Sequence, residues 1–308
     1  MKIAFFGTPA FAVPALSALA DAGHDLVLVV AQPDRPAGRG MKLQAPAVAV
    51  RAKELKLPLI QPAKIRDAAF LDVVRKAAPE IAVVIAYGRI LSDELLAIPP
   101  LGFINVHASL LPKYRGAAPI QRAIEEGETV SGVSIMQVDS ELDHGPVYAM
   151  SEVAIGSDER SPELAAKLSA SGASLLTEVL DRIAGGTAVA SEQDHALATY
   201  AAKLRKEEGA LDFSLPAKQS YDRFRAFHPW PGVAFPSAEG EVVKVIEMRP
   251  ADGEGVPGRV LSITEEGVLV ATGAGALLIT QVQRSGRRPM PAREYVLSWG
   301  IDAGDLLA

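Results

Sequence analysis

The stretch IAVVIA, residues 81–86, decides the fold class of this 308-residue chain. Six consecutive apolar residues with no polar alternation are typical of a strand buried on both faces at the centre of a parallel sheet. Further strand patterns cover residues 2–6, 25–30 and 102–107, and helix-like segments separate them. This alternation predicts right-handed βαβ units and therefore an α/β fold with an open, mainly parallel sheet and helices on both faces.

The pattern of the sequence changes after a long predicted helix, residues 161–184, which ends at a pair of glycines. Polar and charged residues follow it. Four short strand patterns with glycine-bearing turns follow and predict a small antiparallel barrel or sandwich. Those strand patterns cover residues 242–248, 258–263, 267–272 and 276–283. We therefore predict three parts in the chain. They are a catalytic domain (1–188), a linker (189–206) and a smaller C-terminal domain (207–308).

Composition excludes several kinds of chemistry. The chain contains no cysteine, which excludes disulfides, thiolate metal ligands and a cysteine nucleophile. The first turn, Gly7-Thr8-Pro9, lacks the spaced glycines of a dinucleotide site, so we do not expect a nicotinamide cofactor. No apolar run approaches the ~20 residues of a membrane span. The start of the chain does not read as a signal peptide, and we expect a soluble, cytoplasmic protein.

Asn105 and His107 are the strongest candidates for catalysis. They lie two residues apart near the end of a predicted strand, so both side chains share one face. Open α/β sheets bind their ligands outside the carboxyl ends of such strands. Asp143 lies in a predicted turn between two later strands. An amide, an imidazole and a carboxylate suit acyl transfer to an amine, although turn, cap and structural roles remain open for each and no spacing brings Asp143 to His107.

The segment FINVHASLLP (103–112), followed by RGAAPI (115–120), closely resembles the core of the 10-formyltetrahydrofolate-dependent formyltransferases. Other segments resemble markers of that family along nearly the whole chain. They are FGTPAFA (6–12), QPDRPAGRG (32–40), TYAAKL (199–204), FHPWP (227–231) and GRRPM (286–290). The resemblance implies a Rossmann-like catalytic domain, an OB-like C-terminal domain, 10-formyltetrahydrofolate as co-substrate and no metal.

The resemblance also implies roles for individual residues. Asn105 would hydrogen-bond the formyl oxygen, and His107, held by Asp143, would stabilise the tetrahedral intermediate and help to move the proton of the amine. The folate site would be lined by Ser109, Leu110, Leu111 and Pro112, whose two leucines could pack against the pterin ring. The family usually reads Leu-Asp-Thr-Gly-Asp where this chain reads Leu-Asp-His-Gly-Pro at 142–146. His144 is therefore a second, weaker candidate for the base.

A basic segment lies in the first half of an otherwise acidic chain. Residues 34–56 hold six basic and two acidic residues, whereas the whole chain has a net charge of −6. The segment could be a solvated loop, but the resemblance implies that it recognises the acceptor end of a methionyl initiator tRNA. The tRNA contacts we predict are Arg35, Arg39 and Lys42, with Arg287 and Arg288 from a second arginine cluster that also includes Arg284 and Arg293.

We expect the protein to act as a monomer. Two other functions remain open from the residues alone: formyl transfer to a small amine, such as an amino sugar or glycinamide nucleotide, and binding of folate or nucleic acid without catalysis. The basic segment and the C-terminal domain argue against a small acceptor. Binding alone would not need Asn105, His107 and Asp143 together.

Overall fold

The computed structural model describes residues 1–37, 42–237 and 239–307. They form two compact units, each assembled from several stretches of chain. The first unit contains Met1–Pro119, Val130–Ala154 and Leu164–Ala202. The second contains Ile120–Thr129, Ile155–Glu163 and the chain from Lys203 onward. The predicted first domain, 1–188, does not coincide with the first unit, because two of its segments pack in the second.

The strands and helices of the first two thirds of the chain alternate as the sequence predicts. In chain order they are β1 (Lys2–Gly7), α1 (Val13–Asp21), β2 (Asp25–Val30), β3 (Arg35–Ala37), β4 (Lys42–Gln44), α2 (Ala47–Glu54), β5 (Leu59–Ile60), α3 (Ala68–Ala77), β6 (Ile81–Ile85), α4 (Asp93–Leu96), β7 (Phe103–His107), β8 (Arg115–Gly116), α5 (Pro119–Glu125), β9 (Val130–Gln137), β10 (Val147–Ala154), α6 (Ser161–Ala184) and β11 (Tyr200–Ala201).

Seven of these strands form the sheet of the first unit, in the order β10-β9-β7-β6-β1-β2-β5. The five strands from β7 to β5 pair in parallel, and β9 and β10 add an antiparallel edge. The predicted open, mainly parallel sheet is confirmed. Strand β6 lies between β1 and β7, with Ile81 and Val83 packed in one buried cluster and Ala82 in another. Its apolar run is therefore required by burial on both faces.

The second unit is built on an antiparallel sheet, as predicted. Its elements are α7 (Ala217–Ala226), β12 (Val233–Pro236), β13 (Val242–Ala251), β14 (Val260–Ile263), β15 (Val268–Ala271), β16 (Ala276–Arg284), β17 (Met290–Pro291) and α8 (Ala292–Ser298). The strand order is β12-β13-β16-β15-β14, and β17 also pairs with β16. Among the described residues, no helix is both long and apolar enough to cross a membrane.

The segment predicted as a linker is largely ordered within the first unit. Ser191 exchanges backbone hydrogen bonds with Val147, and β11 pairs in parallel with β8. The first unit extends to Ala202, inside the predicted linker of 189–206. This segment therefore lies beside the turn that carries Asp143, and it contributes to the site described next.

Candidate active site

The structure brings Asn105, His107 and Asp143 together within the first unit. Asn105 and His107 are the third and fifth residues of β7, on one face, and Asp143 lies in the turn between β9 and β10. Asn105 Nδ2 donates to Asp143 Oδ1 over 3.4 Å, and His107 Nδ1 lies 3.6 Å from Asp143 Oδ2. The carboxylate of Asp143 thus contacts both β7 side chains, a proximity that strand spacing alone could not predict.

Asp143 is held by the backbone of β8. The amide N–H of Gly116 donates to Asp143 Oδ2 over 2.8 Å. Gly116 has φ +116°, and a Cβ there would lie 2.9 Å from the carbonyl oxygen of Ala201. Glycine is therefore needed for both the conformation and the close approach of β11.

His107 uses its other ring nitrogen to contact the backbone. Nε2 lies 2.9 Å from the carbonyl oxygen of Tyr114, which can only accept, so Nε2 carries a hydrogen in this contact. The other ring nitrogen, Nδ1, faces the carboxylate of Asp143 at 3.6 Å. Tyr114 is itself held, because Thr199 Oγ1 accepts from its backbone N–H over 2.9 Å. The ring of His107 thus lies between the backbone of Tyr114 and the carboxylate that also contacts Asn105.

The predicted folate segment, residues 109–112, is fastened to β9 through a buried serine. The Ser134 hydroxyl donates to the carbonyl of Ser109 over 2.7 Å and accepts from the backbone N–H of Leu111 over 3.1 Å. The side chain of Leu111 packs in a buried cluster with Met136 and Val147, so it is already used within the unit. Leu110 and Pro112 are half-buried, and they leave the segment accessible from solvent.

The turn after Asp143 is held by residues that the sequence patterns did not single out. Gln193 donates through Nε2 to the carbonyls of Asp143 (3.0 Å) and Gly145 (2.7 Å). The rings of His144 and His195 stack with centroids 4.0 Å apart. His144 Nδ1 lies 2.8 Å from Asp139 Oδ2, and its Nε2 lies 4.0 Å from Glu141 Oε2. The nearby segment 199–204 resembles a marker of the family, but it includes neither Gln193 nor His195.

The first part of the basic segment contains two short strands. Strands β3 and β4 pair antiparallel, and Arg35 and Lys42 are exposed on them. The guanidinium of Arg35 donates to Gln32 Oε1. Arg39, the third predicted tRNA contact here, lies outside the described residues.

The second arginine cluster divides into exposed and paired members. Arg287 and Arg288 are exposed in the turn between β16 and β17. Arg284 pairs with Glu241 at 2.8 Å and lies over the ring of Trp299, and Arg293 pairs with Glu265 at 3.1 Å. Arg287 and Arg288 are thus the members displayed to solvent.

The hydrogen-bonding side chains of this site suit acyl transfer. The Asn105 amide has two N–H groups, one directed at Asp143, and a half-buried position from which the other can reach a ligand. An amide N–H is a suitable partner for a carbonyl oxygen that gains negative charge. Within the described part of the chain, no cluster of three or more histidine, aspartate or glutamate side chains could hold a metal ion.

Comparison with known proteins matches residues 1–180 to the family described as Formyl transferase and residues 203–298 to Formyl transferase, C-terminal domain. The chain is 49% identical to the methionyl-tRNA formyltransferase of Thermus thermophilus over 307 residues, covering 100% of this chain and 99% of that protein. It is 46% identical to the enzyme of the same name from Sorangium cellulosum, again over 100% and 99% of the two chains.

Two solved structures share the fold. The sugar 3N-formyl transferase WlaRD, in the presence of dTDP and 5-N-formyl-THF, has a TM-score of 0.68 at 16% identity, over 94% of this chain and 99% of that one. HypX from Aquifex aeolicus, in complex with tetrahydrofolic acid, has a TM-score of 0.63 at 17% identity. That match covers 98% of this chain and 48% of HypX.

Proposed function

The chain belongs to the formyl transferase family, and on that basis we propose that it transfers the formyl group of 10-formyltetrahydrofolate to the free amino group of methionyl initiator tRNA. The relatives that support this acceptor carry the name methionyl-tRNA formyltransferase at 46–50% identity. The single structural observation that carries the chemistry is the contact of one carboxylate, Asp143, with both Asn105 and His107.

A folate as formyl donor is supported by the structural neighbours and by the hydrogen-bonding groups of the site. HypX and WlaRD are described with tetrahydrofolic acid and 5-N-formyl-THF. When bound, 10-formyltetrahydrofolate supplies the formyl group from its N10. Leu110 and Pro112 are half-buried and follow the catalytic strand directly in the chain, and the second N–H of Asn105 can meet a formyl oxygen.

The reaction forms a bond between the amine nitrogen and the formyl carbon and breaks the bond between that carbon and N10. The formyl oxygen gains negative charge as the carbon becomes tetrahedral. Asn105 donates to this oxygen, and the ring of His107 helps to stabilise the tetrahedral intermediate and to move the proton of the amine. The amine loses one proton and N10 gains one, so the net transfer is balanced. Asp143 keeps His107 oriented for that transfer through its carboxylate.

The tRNA is proposed to contact Arg35, Arg39 and Lys42 of the basic segment and Arg287 and Arg288 of the second unit. Phosphate groups bind exposed arginine and lysine side chains sequence-independently. Four of these five residues are exposed in the structure, and Arg39 lies outside the described part. We propose that the enzyme acts as a monomer in the cytoplasm, where initiator tRNA is charged.

The catalytic assignment is tested by Asn105→Ala and His107→Ala in a formylation assay with methionyl-tRNA. Each variant should lower kcat about 10²–10⁴-fold, since each removes a group that acts on the reacting atoms. Binding of tRNA, measured separately by filter retention, should be unchanged. Gln219→Ala truncates an exposed amide on α7 and serves as the control. Normal turnover by either catalytic variant would overturn the assignment.

A further inference from the structure

Gln193 is a buried amide whose two ends are both engaged. Its side-chain oxygen accepts from Arg115 Nη2 at 2.7 Å and Nε at 3.2 Å. Its nitrogen donates to the backbone carbonyls of Asp143 and Gly145. Because a guanidinium can only donate and a carbonyl can only accept, these partners determine the orientation of the amide without ambiguity.

The four contacts tie together the two pieces of chain that define the position of the Asp143 carboxylate. One piece is the turn, which Gln193 holds on both sides of His144. The other is β8, since Arg115 directly precedes Gly116, the residue whose N–H donates to that carboxylate. Gln193 is only 8% exposed and Arg115 only 3%, so water cannot easily replace these hydrogen bonds.

A second residue of the same segment, His195, also contacts the turn that carries Asp143. His195 stacks on His144, and its Nδ1 accepts from Arg115 Nη2 over 2.8 Å. Asp143 itself has φ +48°, a left-handed conformation that a non-glycine residue keeps only when surrounding contacts impose it. Its carboxylate and its carbonyl are therefore restrained by different groups, Gly116 and Gln193.

We propose that Gln193 is a positioning residue for formyl transfer, which acts by holding Asp143 at the distance and angle that orient His107. The proposal rests on the proposed function, because it requires that Asp143 is part of the catalytic group. A displacement of about 1 Å in a catalytic constellation can cost on the order of 10² in rate. A purely structural role would instead lower stability and leave the chemistry of the folded fraction unchanged.

The decisive variant is Gln193→Glu. It keeps an acceptor for Arg115 but replaces the N–H donors with oxygens that repel the carbonyls of Asp143 and Gly145. We expect kcat to fall about 10- to 100-fold while the KM values for donor and tRNA stay within about threefold, since the interaction lost acts on the transition state. Gln219→Glu adds the same charge at an exposed site and should leave kcat unchanged.

A double-mutant cycle separates positioning from general damage. In an Asp143→Asn background, adding Gln193→Glu should cause no further loss of kcat, because the residue it positions no longer functions. Additive losses would overturn the proposal, as would an unchanged kcat in Gln193→Glu. Full activity of Asp143→Asn would instead overturn the catalytic assignment itself.

Gln193→Met covers the case in which the glutamate variant does not fold. It has similar length and no donors, and it should show the same selective loss of kcat, with the unfolding midpoint measured in parallel. A methionine variant that folds and turns over at the normal rate would contradict the proposal.

Discussion

Asp143 has a side chain and a backbone that are restrained independently. The carboxylate meets Asn105, His107 and the N–H of Gly116, and the carbonyl accepts from Gln193. A left-handed φ at a non-glycine residue costs of order 1–3 kcal/mol. The hydrogen bonds at both ends offset this cost and keep the carboxylate next to the ring of His107.

Ser134 offers a test at the residue scale of how the folate segment is held. Ser134→Ala removes the hydroxyl that bridges Ser109 and Leu111, and leaves two buried backbone groups without that partner. We expect a loss of about 1–3 kcal/mol in the free energy of unfolding, measured by urea denaturation, and a higher KM for the folate donor.

Ser131, on the same strand, provides the matched control. It is also buried, but its hydroxyl has no hydrogen-bond partner among the described residues. Ser131→Ala should therefore be neutral or stabilising, because it removes an unsatisfied buried polar group. Equal destabilisation by both alanine variants would contradict the role given to the Ser134 hydroxyl.

The sequence pattern predicted which site residues lie close together only where those residues belong to the same strand. Strand alternation places Asn105 and His107 on one face, and the structure agrees. Asp143 was linked to them by family resemblance, since its position depends on a turn beyond β9. Gln193 had no signal, because its partners are 48 to 78 residues away in the chain and its segment reads as polar linker.

At the scale of elements, burial explains which patterns were readable. Strand β6 packs apolar side chains on both faces, and its sequence shows this directly. The pairing of β3 with β4 was missed because the side chains of residues 35, 36 and 42–44 are exposed and the surrounding sequence is rich in glycine and proline. Helix α7 carries few apolar residues, and its buried positions include Ser220, Asp222 and Arg225. The buried face of α7 therefore holds an Asp222–Arg225 ion pair beside Phe224, and this mixture weakens the apolar periodicity of the helix.

Strands β3 and β4 also carry an electrostatic prediction. The double variant Arg35→Ala, Lys42→Ala should raise the KM for tRNA without lowering kcat, because it removes charges that contact phosphate and not the reacting atoms. Each lost phosphate contact should reduce the slope of log KM against log salt concentration by roughly one. Kinetics at several salt concentrations measure this slope.

Arg75→Ala is the control for that experiment. Arg75 is an exposed cation on α3, paired with Asp72 at 2.8 Å, and it lies outside the predicted tRNA contacts. Its removal should leave both the KM and the salt dependence unchanged. A double variant with normal KM and an unaltered salt slope would refute the proposed contact.

At the scale of the whole molecule, the chain passes between its two units more than once. Residues 120–129 and 155–163 belong to the second unit although they lie between segments of the first. The change in composition after residue 186 accompanies only the last passage, so the sequence predicted two domains joined by one linker, 189–206. The parallel and antiparallel sheets were nevertheless predictable, because each is made from contiguous strand patterns with its own periodicity.

Charge is likewise distributed and not uniform. The chain is acidic overall, with a net charge of −6, yet each unit displays basic side chains to solvent, at Arg35 and Lys42 in one and at Arg287 and Arg288 in the other. Exposed basic side chains suit a polyanionic acceptor, because they can bind its phosphate groups. The identity of the acceptor is therefore the property that distinguishes the proposed function from formylation of a small amine.

The most direct measurement compares two acceptors with the same enzyme and the same 10-formyltetrahydrofolate. Initial rates give kcat/KM for methionyl initiator tRNA and for dTDP-3-aminofucose, a compound bound in the structure of an N-formyltransferase from Helicobacter canadensis with a similar fold. We expect rapid formylation of the tRNA-bound methionine and negligible formylation of the sugar. The variant His107→Ala should abolish the formylation of the tRNA-bound methionine. Formylation of the amino sugar alone would contradict the proposed function.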